Sequence, residues 1–176
     1  MHRTFGDAVS GRPRASRESR VRPRPLEEFL KKAHVPFTAF RHPAAFSAQR
    51  EAALSHVPGR SWAKTVICFA DEEPVLAVVP AHLLVDLEAL RLLAAVTRLR
   101  LASEQELIDL CPGCEVGAIS PFSISRNLPV FVDRSLVGDP ELVFNAGTHT
   151  DAIRMHYGDF AELTRPIVGT IGQQRR

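Results

Sequence analysis

Two short apolar runs joined by an acidic turn decide the fold: Thr65-Val-Ile-Cys-Phe-Ala70, Asp71-Glu-Glu-Pro74 and Val75-Leu-Ala-Val-Val79. Both runs are rich in β-branched residues, and the four residues between them suit the connection of a hairpin. Neither run alternates polar and apolar side chains, which is typical of strands that are buried on both faces. The sequence therefore predicts a hairpin of buried strands at the centre of the fold.

Helical patterns and further strands flank this hairpin on both sides. Helices are predicted over residues 26–35, 47–57, 86–96, 103–111 and 157–163, and the fourth opens with the capping box Ser103-x-x-Glu106. Short strands are predicted at residues 37–41, 99–102, 116–119, 129–133, 141–144 and 151–155. Because these strands are too irregularly spaced for simple β-α-β winding, the pattern predicts one mixed α/β domain.

The composition of the chain excludes several classes of protein. Its 176 residues are 45% hydrophobic and 24% charged, which suits one globular domain with its own core. No apolar run approaches the length of about 18 residues that a membrane span needs. Three cysteines are too few for a disulfide framework and favour a reducing compartment, which we expect to be the cytoplasm.

Charge is distributed unevenly along the chain. Seven arginines against two acidic residues give the first 25 residues a net charge of +5, which leaves −3 for the rest of the +2 total. We interpret residues 1–25 as a disordered basic arm, 26–170 as the folded domain and 171–176 as a C-terminal tail. The arm is interpreted as a solvated tail, as a tether for nucleic acid, or as a transit peptide, which its prolines disfavour.

The pair Cys111-Pro-Gly-Cys114 invites a redox or zinc interpretation. The pair follows a predicted helix, whereas a redox pair begins one and gains from the helix dipole. No second pair of ligands with zinc-binding spacing follows it. We therefore predict two cysteines that flank a turn. The sequence also lacks a phosphate-binding loop, and Gly117-Ala-Ile-Ser-Pro121 lacks the second glycine of a nucleophile elbow.

Three polar features are candidates for a functional site. Lys64 stands directly before the first buried run, either as a solvated edge charge or as a cation for a phosphate or carbonyl oxygen. The segment Gly117 to Pro121 is an ordinary turn or a loop whose backbone N–H groups point into a cleft. In Asn145-Ala-Gly-Thr-His149-Thr150, Gly147 permits a sharp turn that would present Asn145 and His149.

Taken in order, these features resemble the YbaK/prolyl-tRNA synthetase-associated family. The segments that carry the resemblance are Lys64-Thr-Val-Ile-Cys-Phe, Ala77-Val-Val-Pro-Ala-His-Leu-Leu-Val-Asp86-Leu, Leu101-Ala-Ser-Glu-Gln-Glu-Leu, Gly117-Ala-Ile-Ser-Pro-Phe, Phe144-Asn-Ala-Gly-Thr-His-Thr and Tyr157-Gly-Asp-Phe-Ala-Glu-Leu-Thr. The resemblance spans residues 26–166 and implies one compact domain with a mixed, barrel-like sheet and surrounding helices. The Gly-Thr-His-Thr stretch is closer to the inserted domain of prolyl-tRNA synthetase than to the Ser-Ala-Gly-x-x-Gly of many YbaK-like members.

The resemblance implies an activity and partners. Members of the family hydrolyse mischarged aminoacyl-tRNA, so we expect a trans-acting aminoacyl-tRNA deacylase that serves translation fidelity. The expected substrate is tRNA for proline that carries alanine, cysteine or serine, with prolyl-tRNA synthetase as a further partner and no membrane, cofactor or metal. A non-catalytic module of the same fold that binds a nucleotide or a tRNA end is the alternative.

The resemblance also assigns roles to residues. Lys64 is expected to contact the terminal adenosine of the tRNA, backbone N–H groups of Gly117 or Ala118 to stabilise the oxyanion, and His149 to belong to the catalytic set. The expected substrate-binding residues are Phe46, Thr65, Ser120, Pro121, Phe122, Asn145, Gly147 and Thr148. Because an aminoacyl ester is already activated, holding the ester and a water in place can suffice without a strong nucleophile.

Overall fold

The computed structural model describes residues 24–122 and 128–174 of the chain. The helices of this described part are α1 Arg24–Lys32, α2 Ala48–Leu54, α3 Leu87–Ala94, α4 Glu104–Leu110 and α5 Tyr157–Thr164, with a 3-10 turn at Arg134–Leu136. Its strands are β1 Phe37–Arg41, β2 Ala63–Ala70, β3 Glu73–Pro80, β4 Leu83–Val85, β5 Leu99–Leu101, β6 Val130–Asp133, β7 Glu141–Thr148, β8 Asp151–His156, β9 Ile167–Gly169 and β10 Gly172–Gln174. None of these helices is long and apolar enough to span a bilayer.

The predicted hairpin, β2 and β3, lies at the centre of a mixed sheet with the order β5-β2-β3-β6-β9. Its strands pair antiparallel over their whole length, whereas β6 and β9 join the sheet in parallel. A second, antiparallel sheet has the order β1-β8-β7, and β4 pairs with β10. The two larger sheets are linked by a parallel bridge between Trp62 and Val143, so the expected mixed, barrel-like sheet with surrounding helices is confirmed.

The main core lies between the two larger sheets. Side chains from both sheets fill it, and Leu30 of α1 and Phe160 of α5 close it at 0% exposure. Alternate residues on the outer face of the β1-β8-β7 sheet pack instead against α2, around the fully buried Trp62. Strand residues point alternately to opposite faces, so β7 carries core side chains on one face and faces α2 with the other. The candidate functional site lies on this second face.

Local signals place the helices close to where they were predicted. The Asp86 side chain accepts hydrogen bonds from the backbone N–H groups of Glu88 and Ala89 and begins α3. The predicted capping box between Ser103 and Glu106 is present at the start of α4. Helix α2 ends at Leu54, three residues earlier than predicted.

The backbone differs from the predicted one in four places. Residues 116–119 form no strand: Val116 and Gly117 lie in a turn, which the Ala118 N–H closes by donating to the Glu115 carbonyl at 3.0 Å, and Gly117 has a φ of +89°. Residues 171–176 are not simply a tail, since Ile171 is fully buried and β10 pairs with β4. Strands β4, β9 and β10, of three residues each, were not predicted. Helix α1 begins at Arg24, inside the segment interpreted as the arm, and residues 1–23 lie outside the described part.

Candidate active site

The candidate site forms where α2, the end of β7 and the loop before residue 118 meet. Glu51 points from α2 toward the outer face of the β1-β8-β7 sheet and is 0% exposed. On that face, Asn145 follows Val143 by two residues and therefore points toward α2 as well. A carboxylate is thereby buried against a polar strand end, and it needs hydrogen-bonding partners there.

Two side chains from the end of β7 satisfy the Glu51 carboxylate. The Asn145 Nδ2 donates to its Oε2 at 2.9 Å, and the His149 Nδ1 lies 2.7 Å from its Oε1. The side-chain amide of Asn145 is thereby oriented, and its buried Oδ1 has no hydrogen-bond partner in the described part of the chain. Glu51 thus ties a helix to residues that lie nearly a hundred positions away.

The His149 ring has an acceptor at each nitrogen. Its Nε2 lies 2.9 Å from the Val116 carbonyl oxygen, opposite the Glu51 carboxylate at Nδ1. A carboxylate and a carbonyl only accept, so with Glu51 ionised this geometry is satisfied at both ring nitrogens by an imidazolium. Burial on its own lowers the pKa of His149, but the hydrogen bonds to Glu51 and Val116 and the charges of Glu51 and Glu115 together raise the pKa.

The loop that carries Val116 is fastened to the end of β7. The Glu115 N–H donates to the Gly147 carbonyl at 2.8 Å, and the Gly147 N–H donates to the Ala118 carbonyl at 3.0 Å. The Glu115 carboxylate in turn accepts the backbone N–H of His149 at 2.6 Å. These bonds bring Gly117 against the histidine: a Cβ at Gly117 would lie 3.4 Å from His149 Cε1.

Phe46 borders the same corner from the segment that leads into α2. Its side chain is 89% exposed, and its ring centroid lies 5.5 Å from that of His149. An aromatic ring this exposed gains little from the hydrophobic effect in that position. The structure thus brings Phe46, Gly117, Asn145, Gly147 and His149 together.

Several residues expected to bind substrate lie in the core. Ser120 and Pro121 are buried, and the Phe122 ring packs against those of Phe144 and Phe160 at centroid distances of 5.8 and 5.5 Å. The Thr148 hydroxyl bonds to Asp151 in the turn between β7 and β8. The side chains of Ser120, Pro121, Phe122 and Thr148 thus pack or bond within the fold, and their contact with substrate stays a prediction.

The two backbone donors that were expected to stabilise the oxyanion differ in their surroundings. Ala118 is 0% exposed, and its backbone N–H donates to the Glu115 carbonyl. Gly117 is exposed. The role of either N–H at the oxyanion stays a prediction.

Lys64 and Thr65 lie on β2, next to the strand that carries Asn145. The Trp62–Val143 bridge is parallel, and Lys64 and Asn145 each lie two residues beyond it. The bridge is isolated and β2 and β7 belong to different sheets, so it brings the start of β2, with Lys64, to this side of β7 at the level of the backbone. Lys64 is half-buried opposite Val79, and the buried Thr65 hydroxyl has no hydrogen-bond partner among the described residues.

Cys111 and Cys114 flank a Pro-Gly turn, as predicted. They are also joined by a disulfide with an S–S distance of 2.07 Å, which the sequence analysis did not predict. The disulfide directly precedes Glu115 at the base of the loop. Within residues 24–122 and 128–174, no group of three or more His, Cys, Asp or Glu side chains is arranged to hold a metal ion.

Sequence reasoning missed Glu51 and Glu115. The signal for Glu51 was its place on α2: Ala48 and Ala52 pack on the sheet, and Glu51 lies three residues after the first and directly before the second. A carboxylate on the apolar stripe of a short helix indicates a buried partner. Glu115 carried no comparable signal, because its contact depends on how the loop meets β7.

Comparison with known proteins assigns the family. The model of the aminoacyl-tRNA editing domain matches residues 42–163, and the chain belongs to this family. The expected family is thereby confirmed. No curated protein sequence matches the chain significantly.

Solved structures share the fold at low sequence identity. A candidate trans-editing enzyme for prolyl-tRNA synthetase is 22% identical with a TM-score of 0.76, over 88% of this chain and 98% of that chain. A structure from the computational grafting of epitope backbones onto scaffold proteins is 20% identical with a TM-score of 0.76, over 89% and 99%. A candidate signal transduction protein from Marinobacter aquaeolei VT8 is 17% identical with a TM-score of 0.65, over 84% of this chain and 30% of that one.

Proposed function

We propose that this protein is a trans-acting aminoacyl-tRNA deacylase that hydrolyses the ester of mischarged tRNA in the cytoplasm. The observation that carries the proposal is the exposed Gly117 peptide, held by a charged His149 beside the exposed ring of Phe46. The proposed substrate is tRNA for proline that carries alanine, cysteine or serine, and prolyl-tRNA synthetase is the proposed partner. Family membership and the similarity to a candidate trans-editing enzyme support this choice.

The proposed reaction is the attack of water on the ester carbonyl. The carbonyl oxygen becomes an oxyanion and accepts a hydrogen bond from the Gly117 N–H. When the intermediate collapses, the ribose oxygen leaves with a proton derived from the water, and the free amino acid and the uncharged tRNA are released. His149 is not the base in this scheme, because both its ring nitrogens already donate hydrogen bonds. In this scheme, the neighbouring ribose hydroxyl of the tRNA orients the water.

The remaining groups bind the end of the tRNA in this proposal. Phe46 offers an exposed ring on which the terminal adenine stacks, an interaction worth about 1–3 kcal/mol per base. Lys64 supplies a cation for a phosphate of the same terminus. An aminoacylation site distinguishes two amino acids that differ by one methylene by only about 1–3 kcal/mol. A second site that hydrolyses the wrong ester is therefore needed.

A panel of tRNAs charged with alanine, cysteine, serine or proline tests the proposal. We expect the wild type to release at least one wrong amino acid and to spare the cognate ester. Lys64→Ala should lower kcat/KM by about 10-fold or more, as expected for the loss of a cation that binds phosphate. Lys32→Ala is the matched control, because Lys32 is an exposed lysine of α1. Its turnover should equal that of the wild type.

The same panel separates the alternative function. A protein that binds the aminoacylated ends tightly but releases no amino acid from any of them would be a binding module of the same fold. Equal turnover of Lys64→Ala and the wild type would remove Lys64 from the mechanism. Thermal unfolding of each variant establishes that a loss of turnover does not reflect a loss of fold.

A further inference from the structure

We infer that Glu51 is a positioning residue for this site: through His149 it orients and polarises the Gly117 N–H that receives the oxyanion. The inference rests on the proposed function and adds to it a residue of α2. Glu51 is 0% exposed, so it acts through His149 and does not touch the substrate.

His149 acts on the peptide group between Val116 and Gly117. The carbonyl and the N–H of this group point in opposite directions within one plane, because the described chain has no cis peptide bond. His149 Nε2 holds the carbonyl oxygen at 2.9 Å. The Gly117 N–H is therefore directed away from the histidine, and Gly117 is exposed. A hydrogen bond to the carbonyl also polarises the group and strengthens its N–H as a donor.

The groups around the His149 ring favour its charged form. Two carboxylates face it, that of Glu51 from α2 and that of Glu115 from the loop, and the Phe46 ring covers it from the segment before α2. A neutral imidazole would turn one lone pair toward the Glu51 carboxylate or the Val116 carbonyl and lose that hydrogen bond. The buried negative charge of Glu51 thus keeps both N–H donors in place.

A substitution can remove the charge of Glu51 without removing its hydrogen bonds. In Glu51→Gln the new amide oxygen can accept from His149, while the new NH₂ faces Asn145. The Asn145 amide can turn over to present its Oδ1, which has no partner among the described residues. The variant therefore tests the charge, with little change in packing.

The experiment measures deacylation of the best mischarged tRNA from mildly acidic to alkaline pH, after subtraction of uncatalysed hydrolysis. On the alkaline side we expect Glu51→Gln to lower kcat by about 10-fold with little change in KM, because an oxyanion donor acts in the transition state. Toward acidic pH the rate should recover as His149 regains its proton, so the alkaline fall in rate moves to lower pH. Glu28→Gln on the exposed side of α1 is the control and should match the wild type.

A second measurement reports the protonation of the His149 ring. In the full-length wild type at neutral pH, NMR of the His149 ring should show protons on both nitrogens, and Glu51→Gln should lose one of them. An active wild type and a Glu51→Gln variant with the same pH profile would overturn the role of Glu51 alone. A wild type that releases no amino acid would overturn the proposed function and the catalytic part of this inference together. A neutral His149 ring in the wild type would overturn the charge argument, whatever the activity.

Discussion

Asp133 and Glu51 are both buried carboxylates, 3% and 0% exposed, but they are held by different kinds of donor. Asp133, at the end of β6, accepts the N–H groups of Ser135, Ile171 and Gly172 at 3.0, 2.9 and 2.7 Å, and the Ser135 hydroxyl as well. Among the described residues, the Glu51 carboxylate accepts from side chains only, those of Asn145 and His149.

The difference separates a residue of the fold from a residue of the site. Backbone donors are fixed by the path of the chain, so Asp133 fastens β6 to the start of β10. Side-chain donors can turn over or titrate, so the surroundings of Glu51 respond to charge and pH. Burial is nearly the same for both residues, and the kind of donor tells them apart.

The strongest test of this comparison replaces each carboxylate by its amide. In Asp133→Asn the NH₂ must face backbone N–H donors on either side, and no rotation relieves this. We expect a loss of about 3 kcal/mol in the free energy of unfolding, measured with urea, and unchanged turnover per folded molecule. Glu51→Gln should lose less stability and more turnover. The same pattern for both variants would abolish the distinction.

Gly117→Ala should give the next largest effect. A side chain at a φ of +89° is strained, and its Cβ would lie 3.4 Å from His149 Cε1. We expect a cost of about 1–2 kcal/mol in stability and a fall of about 10-fold in kcat, because the loop must shift away from the histidine. Gly138→Ala is the matched control, since nothing lies within 4 Å of a Cβ there and its φ is not in the positive range.

The contributions of Asp133 and His149 to stability should depend on pH in opposite directions. Burial raises the pKa of Asp133, but its hydrogen bonds outweigh burial and lower the pKa overall, so its contribution is lost as pH falls through the folded pKa. The folded pKa of His149 is raised, so its contribution is complete below the unfolded pKa and lost as pH rises through the folded pKa. Urea unfolding over a pH series should show the acid loss abolished in Asp133→Asn and the alkaline loss reduced in Glu51→Gln.

The smallest effect concerns residues 1–23, which lie outside the described part of the chain. Removing residues 1–23 takes positive charge away from a chain whose residues after the first 25 carry a net −3. We expect weaker tRNA binding at low salt, a shallower dependence of affinity on salt, and unchanged stability and kcat. Filter binding across a salt series measures both quantities. An unchanged salt slope would leave the arm as a solvated tail.

The fold could be predicted where its signals are local. The β2–β3 hairpin and the caps of α3 and α4 depend on residues close together in sequence, so they were found. Strands of three residues, such as β9 and β10, are too short to show a period.

The site could be predicted only in part, for the same reason. His149 and Gly117 stand in recognisable loops, but the burial of Glu51 depends on partners 94 and 98 residues away. The local pattern of α2 indicates that the Glu51 carboxylate has a buried partner, but it does not identify the residue that serves as this partner. The pairing with Glu51, which favours the charged form of the histidine, is a property of the assembled fold.

The long separation between Glu51 and His149 has a consequence for the order of assembly. We expect a hydrogen bond that closes a loop of 98 residues to form late in folding, because the entropy of closure must be overcome before the contact contributes. The β2–β3 hairpin, whose strands are joined by a short turn, can form early. A chain with its hairpin but without this contact would lack the oriented Gly117 N–H, so in our proposal hydrolysis switches on only at the end of folding. Partly folded molecules would then leave charged tRNA intact.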